Sequence, residues 1–221
     1  MVDKINYDVT TYQFLNIVES WFLNDDILPT GGISNLHIKR TYDLFEREND
    51  QSTIWHKCFY RQIRKDSSFN NIYIKFLTEV IKPRFNEKIV YQKIPTFRVH
   101  LPGNLAVGEF HKDKHYRNEE WANKVQELNY FVPLTKAYGT NTIWAETEED
   151  RGDFKEMRAN YGECVEWNAS KLTHGNKQNV TKVTRVSFDF RVIPKSRYIE
   201  SNHLTINTKI PFGIGGYYEV V

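Results

Sequence analysis

Cysteine is scarce in this chain: Cys58 and Cys164 are the only two in 221 residues, and they form no CxxC pair. Zinc fingers and iron–sulfur clusters need several thiolates at fixed spacings, so the composition excludes a Cys-rich metal site. Two isolated cysteines are typical of a protein that resides in a reducing compartment. The cysteine content therefore predicts a cytoplasmic setting.

The chain also lacks a strong charge of either sign and a long apolar run. Its 30 basic and 28 acidic residues give a formal net charge of +2, a balance that does not favour a polyanionic partner. No apolar run approaches the length that is needed to cross a bilayer. Residues 1–6 lack the basic region and apolar run of a signal peptide. We therefore expect a cytoplasmic protein that binds neither nucleic acid nor a membrane.

Hydrophobic residues make up 40% of the chain and aromatic residues 14%, which indicates a folded globular protein. The length suits one large domain that spans residues 1–221. Residues 1–90 follow helical spacing, most clearly in a stripe of apolar residues from Phe69 to Val80. We expect this helical part to pack on a sheet formed by residues 91–195, with residues 196–221 as a C-terminal extension.

After residue 90, apolar and polar residues alternate, and this alternation indicates β-strands. Several short strands after a helical half predict an α+β fold. Its core is expected to be a double-stranded β-helix of the jelly-roll or cupin type, backed by the N-terminal helices. The cleanest strand, 183–192, has one apolar face and one polar face. The apolar face carries Val186, Phe188, Phe190 and Val192, and the polar face carries Arg185, Ser187, Asp189 and Arg191.

The stretch 107–113 carries the clearest chemistry. Its alternation predicts a strand, and residues two apart on a strand point to the same side. His111 and Asp113 would then present an imidazole and a carboxylate to one cavity. These are two of the three ligands in the 2-His-1-carboxylate face that holds non-haem Fe(II) and leaves coordination positions open. His174, at the end of a later strand, lies in a fitting place for the third ligand.

An arginine and a serine follow these ligands in the chain. Arg185 comes eleven residues after His174, and Ser187 is its neighbour on the same strand face. A guanidinium binds a carboxylate through two parallel hydrogen bonds, and a nearby hydroxyl can add a third. The HxD triplet alone is a weak signal, whereas the joint pattern of ligands and Arg185-x-Ser187 is more specific.

The order His111-x-Asp113, His174, Arg185-x-Ser187 resembles the Fe(II)/2-oxoglutarate-dependent oxygenases, and the likeness extends over about residues 94–194. Within that superfamily, the chain is similar to the branch that includes an oxygenase-like protein of streptomycin biosynthesis. Four segments carry this finer likeness: 97–102, 108–113, 141–144 and 213–218.

The resemblance implies that His111, Asp113 and His174 ligate Fe(II). It also implies that Arg185, helped by Ser187, holds the distal carboxylate of the cosubstrate 2-oxoglutarate, and that O₂ takes the remaining position. Decarboxylation of the keto acid to succinate and CO₂ would then accompany oxidation of the substrate. Related halogenases have a small residue in place of the carboxylate ligand, so the presence of Asp113 favours hydroxylation.

Four further residues are weaker candidates. Asn129 or Thr142 could contact 2-oxoglutarate or substrate, although polar pairing within the sheet explains them equally well. Arg98 could meet an anionic substrate, with a structural ion pair as the alternative. Lys112, in the predicted metal strand, could also contact the substrate, with a place in a solvated loop as the alternative.

Two other classes of function remain open on the sequence. One is a zinc or nickel cupin-like isomerase or hydrolase with the same ligands, which has no need of Arg185 and Ser187. The other is a non-catalytic β domain that binds a sugar or a protein partner. For an oxygenase, we expect a small polar substrate such as a sugar, cyclitol, amino acid or phosphorylated derivative, because the assignable inward positions are largely polar. The sequence does not determine the oligomeric state.

Overall fold

The computed structural model describes residues 2–39, 52–106, 109–116, 119–201, 204 and 210–221. The α-helices within these ranges are α1 (Phe14–Asn24), α2 (Ile54–Lys65), α3 (Ser67–Phe76) and α4 (Glu119–Val125). The strands are β1 (Asp3–Asn6), β2 (Ile89–Gln92), β3 (Thr96–His100), β4 (Leu128–Pro133), β5 (Ile143–Ala145), β6 (Lys155–Glu156), β7 (Glu163–Trp167), β8 (His174–Asn176), β9 (Arg185–Pro194) and β10 (Tyr218–Val220).

Helix α3 shows how the sequence sets these elements locally. It begins after Asp66, whose carboxylate accepts a hydrogen bond of 2.8 Å from the Ser68 N–H and so satisfies one of the amides left open at a helix start. It continues into a π turn over Leu77–Ile81 and a short 3₁₀ turn over Lys82–Arg84. Pro83 ends the regular helix because proline has no N–H to donate. The stripe predicted here faces the core.

The described residues form two sheets, of which the larger is antiparallel and has seven strands. Its order is β1-β7-β4-β9-β2-β10, and β3 pairs with β9 beside β2. Strand β9 is central, since it pairs with β4 on one side and with both β2 and β3 on the other. With ten residues, β9 is long enough to pair with β2 and β3 one after the other along the same edge.

The helices cover one face of the larger sheet, as the sequence predicts. The apolar side chains of β9 are completely buried on this face, where they meet aromatic residues of the helices. The Phe14 and Phe188 ring centroids lie 4.9 Å apart, and those of Tyr73 and Phe190 lie 5.3 Å apart, both in edge-to-face contacts. Burial of these large rings provides much of the favourable free energy of folding.

The smaller sheet has the order β6-β5-β8 and lies against the opposite face of the larger one. A second apolar cluster joins the two sheets through Phe131 of β4, Val165 of β7 and Ala145 of β5. The mixed architecture of helices and antiparallel sheets confirms the predicted α+β class. No helix in the described parts of the chain combines the length and the apolar composition that crossing a membrane requires.

Two details differ from the sequence prediction. The larger sheet gains β1 and β10, which lie outside the predicted sheet region 91–195. The predicted metal strand over 107–113 is wrong for the residues described there. His111 forms only an isolated bridge with His174, and a 3₁₀ turn begins at Asp113. In its described residues, this segment is hydrogen-bonded to the rest of the fold at two points, His111 to His174 and Asp113 to Ala169, and does not form a continuous strand.

Candidate metal centre and cavity

Backbone hydrogen bonds bring the three predicted ligands together. The N–H of His111 donates to the carbonyl of His174 at 2.8 Å, and the N–H of His174 donates to the carbonyl of His111 at 2.9 Å. Two residues later, the Asp113 N–H donates to the carbonyl of Ala169 at 2.9 Å. The loop that contains His111 and Asp113 is thus fixed to the segment that leads into β8.

The ligand atoms of His111, Asp113 and His174 all lie within 4.8 Å of one another. Asp113 Oδ1 is 3.5 Å from His111 Nε2 and 3.6 Å from His174 Nε2. Each imidazole uses its Nδ1–H on a backbone carbonyl, that of Glu109 at 2.8 Å and that of Leu172 at 3.0 Å. Because a carbonyl only accepts, these bonds hold the Nδ1–H groups and leave both Nε2 atoms beside the Asp113 oxygen, which is the arrangement that metal-binding histidines adopt.

The two imidazoles differ in their affinity for a proton. Burial lowers the pKa of His174 to about 4, although the Asp113 charge opposes this shift. Burial also acts to lower the pKa of His111, but the hydrogen bond and charge of Asp113 outweigh it, and the pKa is raised. Near neutral pH, His174 is therefore a neutral imidazole, the form that binds a metal ion.

The second oxygen of Asp113 is held by residues of the larger sheet. Asp113 Oδ2 accepts a hydrogen bond of 2.8 Å from Arg191 and one of 3.4 Å from the Asn129 amide. These contacts turn Oδ1 toward the two imidazoles. No motif in the sequence predicts this role of Arg191, although the alternation of β9 places it on the same face as Arg185. Its contact with Asp113 is between residues 78 positions apart, so no local pattern could reveal it.

Arg191 is in turn positioned by a buried acid and by the C-terminal residues. Its Nε lies 3.2 Å from an oxygen of Glu127, which is completely buried. Its NH1 group donates to the Tyr217 hydroxyl at 3.0 Å, and the Tyr218 hydroxyl donates to Glu127. The carboxylate of the candidate metal centre is thus connected through Arg191 to β10 and the residues before it.

The three ligands open into a cavity of about 100 Å³ between the two sheets. Arginine and aspartate side chains of β3 and β9 line it on the side of the larger sheet, and residues of β5 and β8 line it on the side of the smaller sheet. Apart from the three ligands, the lining consists of Arg98, Asn129, Phe131, Ile143, Trp167, Gly175, Asn176, Arg185, Ser187, Asp189 and Arg191.

The predicted carboxylate-binding pair lies in this same cavity. The side chain of Arg185 is almost fully buried. Its NH1 group donates to Ser187 Oγ at 2.8 Å, and its Nε donates to the Asn141 carbonyl at 3.0 Å. The Arg185 guanidinium also lies 5.8 Å from the centroid of the Phe131 ring. These contacts hold a permanent positive charge in a fixed orientation inside the cavity.

The weaker candidates divide into two groups. Asn129 and Arg98 line the cavity, and Arg98 also forms an ion pair of 3.6 Å with Asp189. Thr142 and Lys112 do not line it. The Thr142 hydroxyl donates to the Met157 carbonyl at 2.7 Å, and the Lys112 ammonium lies 2.5 Å from Asp150 in the following loop. Both side chains are paired within the fold, and their contact with a ligand stays a prediction.

Two imidazoles and one carboxylate that converge on one face of a cavity form the ligand set of the 2-His-1-carboxylate class of non-haem metal centres. No protein-family model matches the chain. The streptomycin biosynthesis protein StrG of Streptomyces griseus is 32% identical over 219 residues, which cover 99% of this chain and 98% of that protein. The chain belongs to the family of this streptomycin biosynthesis protein, and the branch predicted from the sequence is confirmed.

Two solved structures show a more distant likeness. The Fe-bound structure of EctD from S. alaskensis is 12% identical, with 91% of this chain and 74% of that chain covered and a TM-score of 0.49. SnoK, described as a non-haem α-ketoglutarate-dependent carbocyclase of nogalamycin biosynthesis, is 9% identical, with 87% and 79% covered and a TM-score of 0.48.

Proposed function

We propose that this protein is an Fe(II)- and 2-oxoglutarate-dependent oxygenase that hydroxylates a small polar metabolite. The observation that supports this proposal is the presence of two binding sets in one cavity. His111, Asp113 and His174 present a metal-binding face, and the buried pair of Arg185 and Ser187 offers a carboxylate-binding group. A metal-dependent isomerase or hydrolase would need the first set but has no use for the second.

The residues fit Fe(II) by their chemistry. Both imidazoles have their Nδ1–H groups fixed on carbonyls, and Asp113 has one oxygen fixed by Arg191. Three protein ligands on one face leave open positions for a chelating cosubstrate and for O₂. When bound, these groups supply oxidation of the substrate coupled to decarboxylation of 2-oxoglutarate to succinate and CO₂.

The chain's own residues would bind and orient the organic ligands. Arg185 and Ser187 would hold the distal carboxylate of 2-oxoglutarate through charge-assisted hydrogen bonds. The apolar side chains of Ile143 and Phe131, on opposite sides of the cavity, would limit the access of bulk water to the centre. The proposal includes a double-stranded β-helix core within a single domain, and two apposed antiparallel sheets with the site between them are consistent with that architecture.

The proposed substrate class follows from the polar lining. Amide and charged side chains, including those of Asn176, Asp189 and Arg98, suit the hydroxyl, amine or phosphate groups of a small metabolite. The role of the relative in streptomycin biosynthesis supports a sugar or cyclitol within this class. We propose a cytoplasmic location and no nucleic-acid or membrane partner.

The experiment that tests the proposal measures succinate formation by protein loaded with Fe(II) in the absence of O₂ and then exposed to O₂ and 2-oxoglutarate. Pools of polar metabolites should stimulate succinate release, whereas alkylated oligonucleotides and fatty acids should not. Conversion of a metabolite by the zinc- or nickel-loaded protein without O₂ and without succinate formation would instead indicate the isomerase or hydrolase. Failure to retain metal in a stoichiometric amount would favour a binding protein.

A further inference from the structure

Three side chains form a row across the cavity side of the larger sheet. Arg191 of β9, Asn129 of β4 and Trp167 of β7 are register neighbours on adjacent strands. All three line the cavity. The row lies beside the candidate metal ligands, since Arg191 and Asn129 contact Asp113 and the Trp167 ring packs against His174.

Asn129 has a buried acceptor that no described residue satisfies. Its Nδ2 group donates to Asp113 Oδ2 at 3.4 Å, and this contact fixes the orientation of the amide because a carboxylate oxygen repels the amide oxygen. Asn129 Oδ1 is left buried without a hydrogen-bond partner among the parts of the chain that the structure describes. The residue is only 3% exposed.

Trp167 has a buried donor in the same situation. Its ring meets the His174 imidazole edge to face, with centroids 4.5 Å apart and an interplanar angle of 85°. The indole Nε1–H is buried and has no hydrogen-bond acceptor within the described ranges of residues. A buried polar group without a partner costs about 1–3 kcal/mol, so two such groups beside one cavity indicate a ligand.

The pairing of an acceptor with a donor restricts the chemistry of that ligand. A carboxylate would bond to the Trp167 N–H but would be repelled by Asn129 Oδ1. An ammonium group would bond to Asn129 Oδ1 but would leave the indole N–H unsatisfied. A hydroxyl group both donates and accepts one hydrogen bond at the same oxygen, so it satisfies both groups.

We propose that Asn129 and Trp167 form a subsite for an alcohol hydroxyl of the substrate, adjacent to Asp113 and His174. This inference rests on the proposed function only in calling the ligand a substrate. Within the class of small polar metabolites, it selects polyols such as sugars and cyclitols over substrates whose only polar groups are charged. The subsite would orient the substrate so that a hydroxyl-bearing carbon lies beside the metal centre.

The test uses metal-free protein and NMR of the indole N–H groups, so it does not depend on turnover. Glycerol and myo-inositol serve as hydroxyl probes, and acetate and methylammonium serve as charged probes. Trp167→Phe assigns the Trp167 signal, because it removes the N–H and keeps an aromatic ring against His174. Trp144→Phe is the matched control, since the Trp144 indole donates to the Gly139 carbonyl at 2.9 Å and does not line the cavity.

We expect both hydroxyl probes to shift the Trp167 signal in a saturable way and to leave the Trp144 signal in place. Trp167→Phe should weaken binding of the polyol by about two- to tenfold, the effect of one neutral hydrogen bond, while Trp144→Phe should not weaken it. A Trp167 signal that no hydroxyl probe moves, or that acetate moves as strongly, would overturn the proposal. If polyols bind here but no metabolite stimulates succinate release, the proposed function fails and the subsite stands.

Discussion

Replacement of Arg191 tests whether its contact with Asp113 determines metal affinity. The guanidinium donates to Asp113 Oδ2 at 2.8 Å and lies 3.2 Å from Glu127. Loss of a group that orients a metal ligand lowers affinity by about 10- to 100-fold. Arg191→Met should therefore weaken binding of Fe(II), or of Co(II) as a spectroscopic substitute, by a factor in that range.

The same substitution carries a folding cost that must be separated from the effect on the metal. Arg191→Met leaves the buried carboxylate of Glu127 without its cation, and breaking a buried ion pair destabilises a protein by about 3–5 kcal/mol. Two further variants limit this cost. Arg191→Lys keeps the charge but loses the fork of donors, and the double variant Arg191→Met with Glu127→Gln removes both charges.

The matched control is Arg84→Met. Arg84 also contacts two carboxylates, Glu166 at 2.8 Å and Asp3 at 2.5 Å, but these lie at the surface. Its loss should cost at most about 1 kcal/mol and leave metal affinity unchanged. Metal affinity is measured by competition with a chelator, and stability by urea unfolding. If Arg191→Lys and the double variant bind metal as tightly as Arg84→Met does, Arg191 does not position Asp113.

The remaining predictions concern the ligands, the cosubstrate and pH. Asp113→Ala should abolish stoichiometric Fe(II) binding with little change in the circular dichroism spectrum, because the strands and not this loop provide stability. Arg185→Leu should weaken 2-oxoglutarate binding by about 10- to 100-fold, and Arg185→Lys by less, as measured by calorimetry. Burial lowers the pKa of His56 and of His100 to about 3 in the folded protein. The unfolded chain binds these protons first. As the pH falls from 6.5 toward 3, these two histidines should together lower the free energy of unfolding of metal-free protein by up to about 2.7 kcal/mol per pH unit.

Each of these expectations has a contradicting result. Normal metal content in Asp113→Ala would exclude the proposed ligand set. Unchanged 2-oxoglutarate affinity in Arg185→Leu would place the carboxylate anchor elsewhere, and Arg158→Leu, at an exposed ion pair with Glu156, is the control. For the pH effect, His100→Asn should flatten the dependence of the unfolding free energy on pH. A slope equal to that of the unmodified chain would show that the protonation of His100 does not control stability.

Strand β9 shows how far the sequence alone could predict the fold and the site. Its strict alternation placed one face in the core and the other at a binding site, and the structure has Phe188 buried against helices and Arg185 lining the cavity. Alternation works here because both faces are enclosed and a shift of one residue would bury charge. Chain order predicts His174 as the third ligand, because it follows His111 and Asp113 at the end of a later strand.

The sequence could not predict contacts that depend on distant segments. The Thr142 hydroxyl donates to the carbonyl of the distant Met157, and the neighbouring Ile143 lines the cavity. Arg191, Glu127 and Tyr218 form a network whose members come from β9, the turn between α4 and β4, and β10. Strand pairing within the sheet brings these segments together, and no spacing in the chain records that pairing.

The strands at the two ends of the larger sheet, β1 and β10, have a consequence for solubility. Strand β1 closes one edge beside β7, and β10 closes the other beside β2. Every residue of β2 is buried, and β10 covers its outer row of N–H and C=O groups. Loss of β10 would turn an apolar interior strand into an open edge, which is a template for pairing with another copy of the chain. A chain without residues 218–221 should therefore accumulate as aggregates, which light scattering would detect.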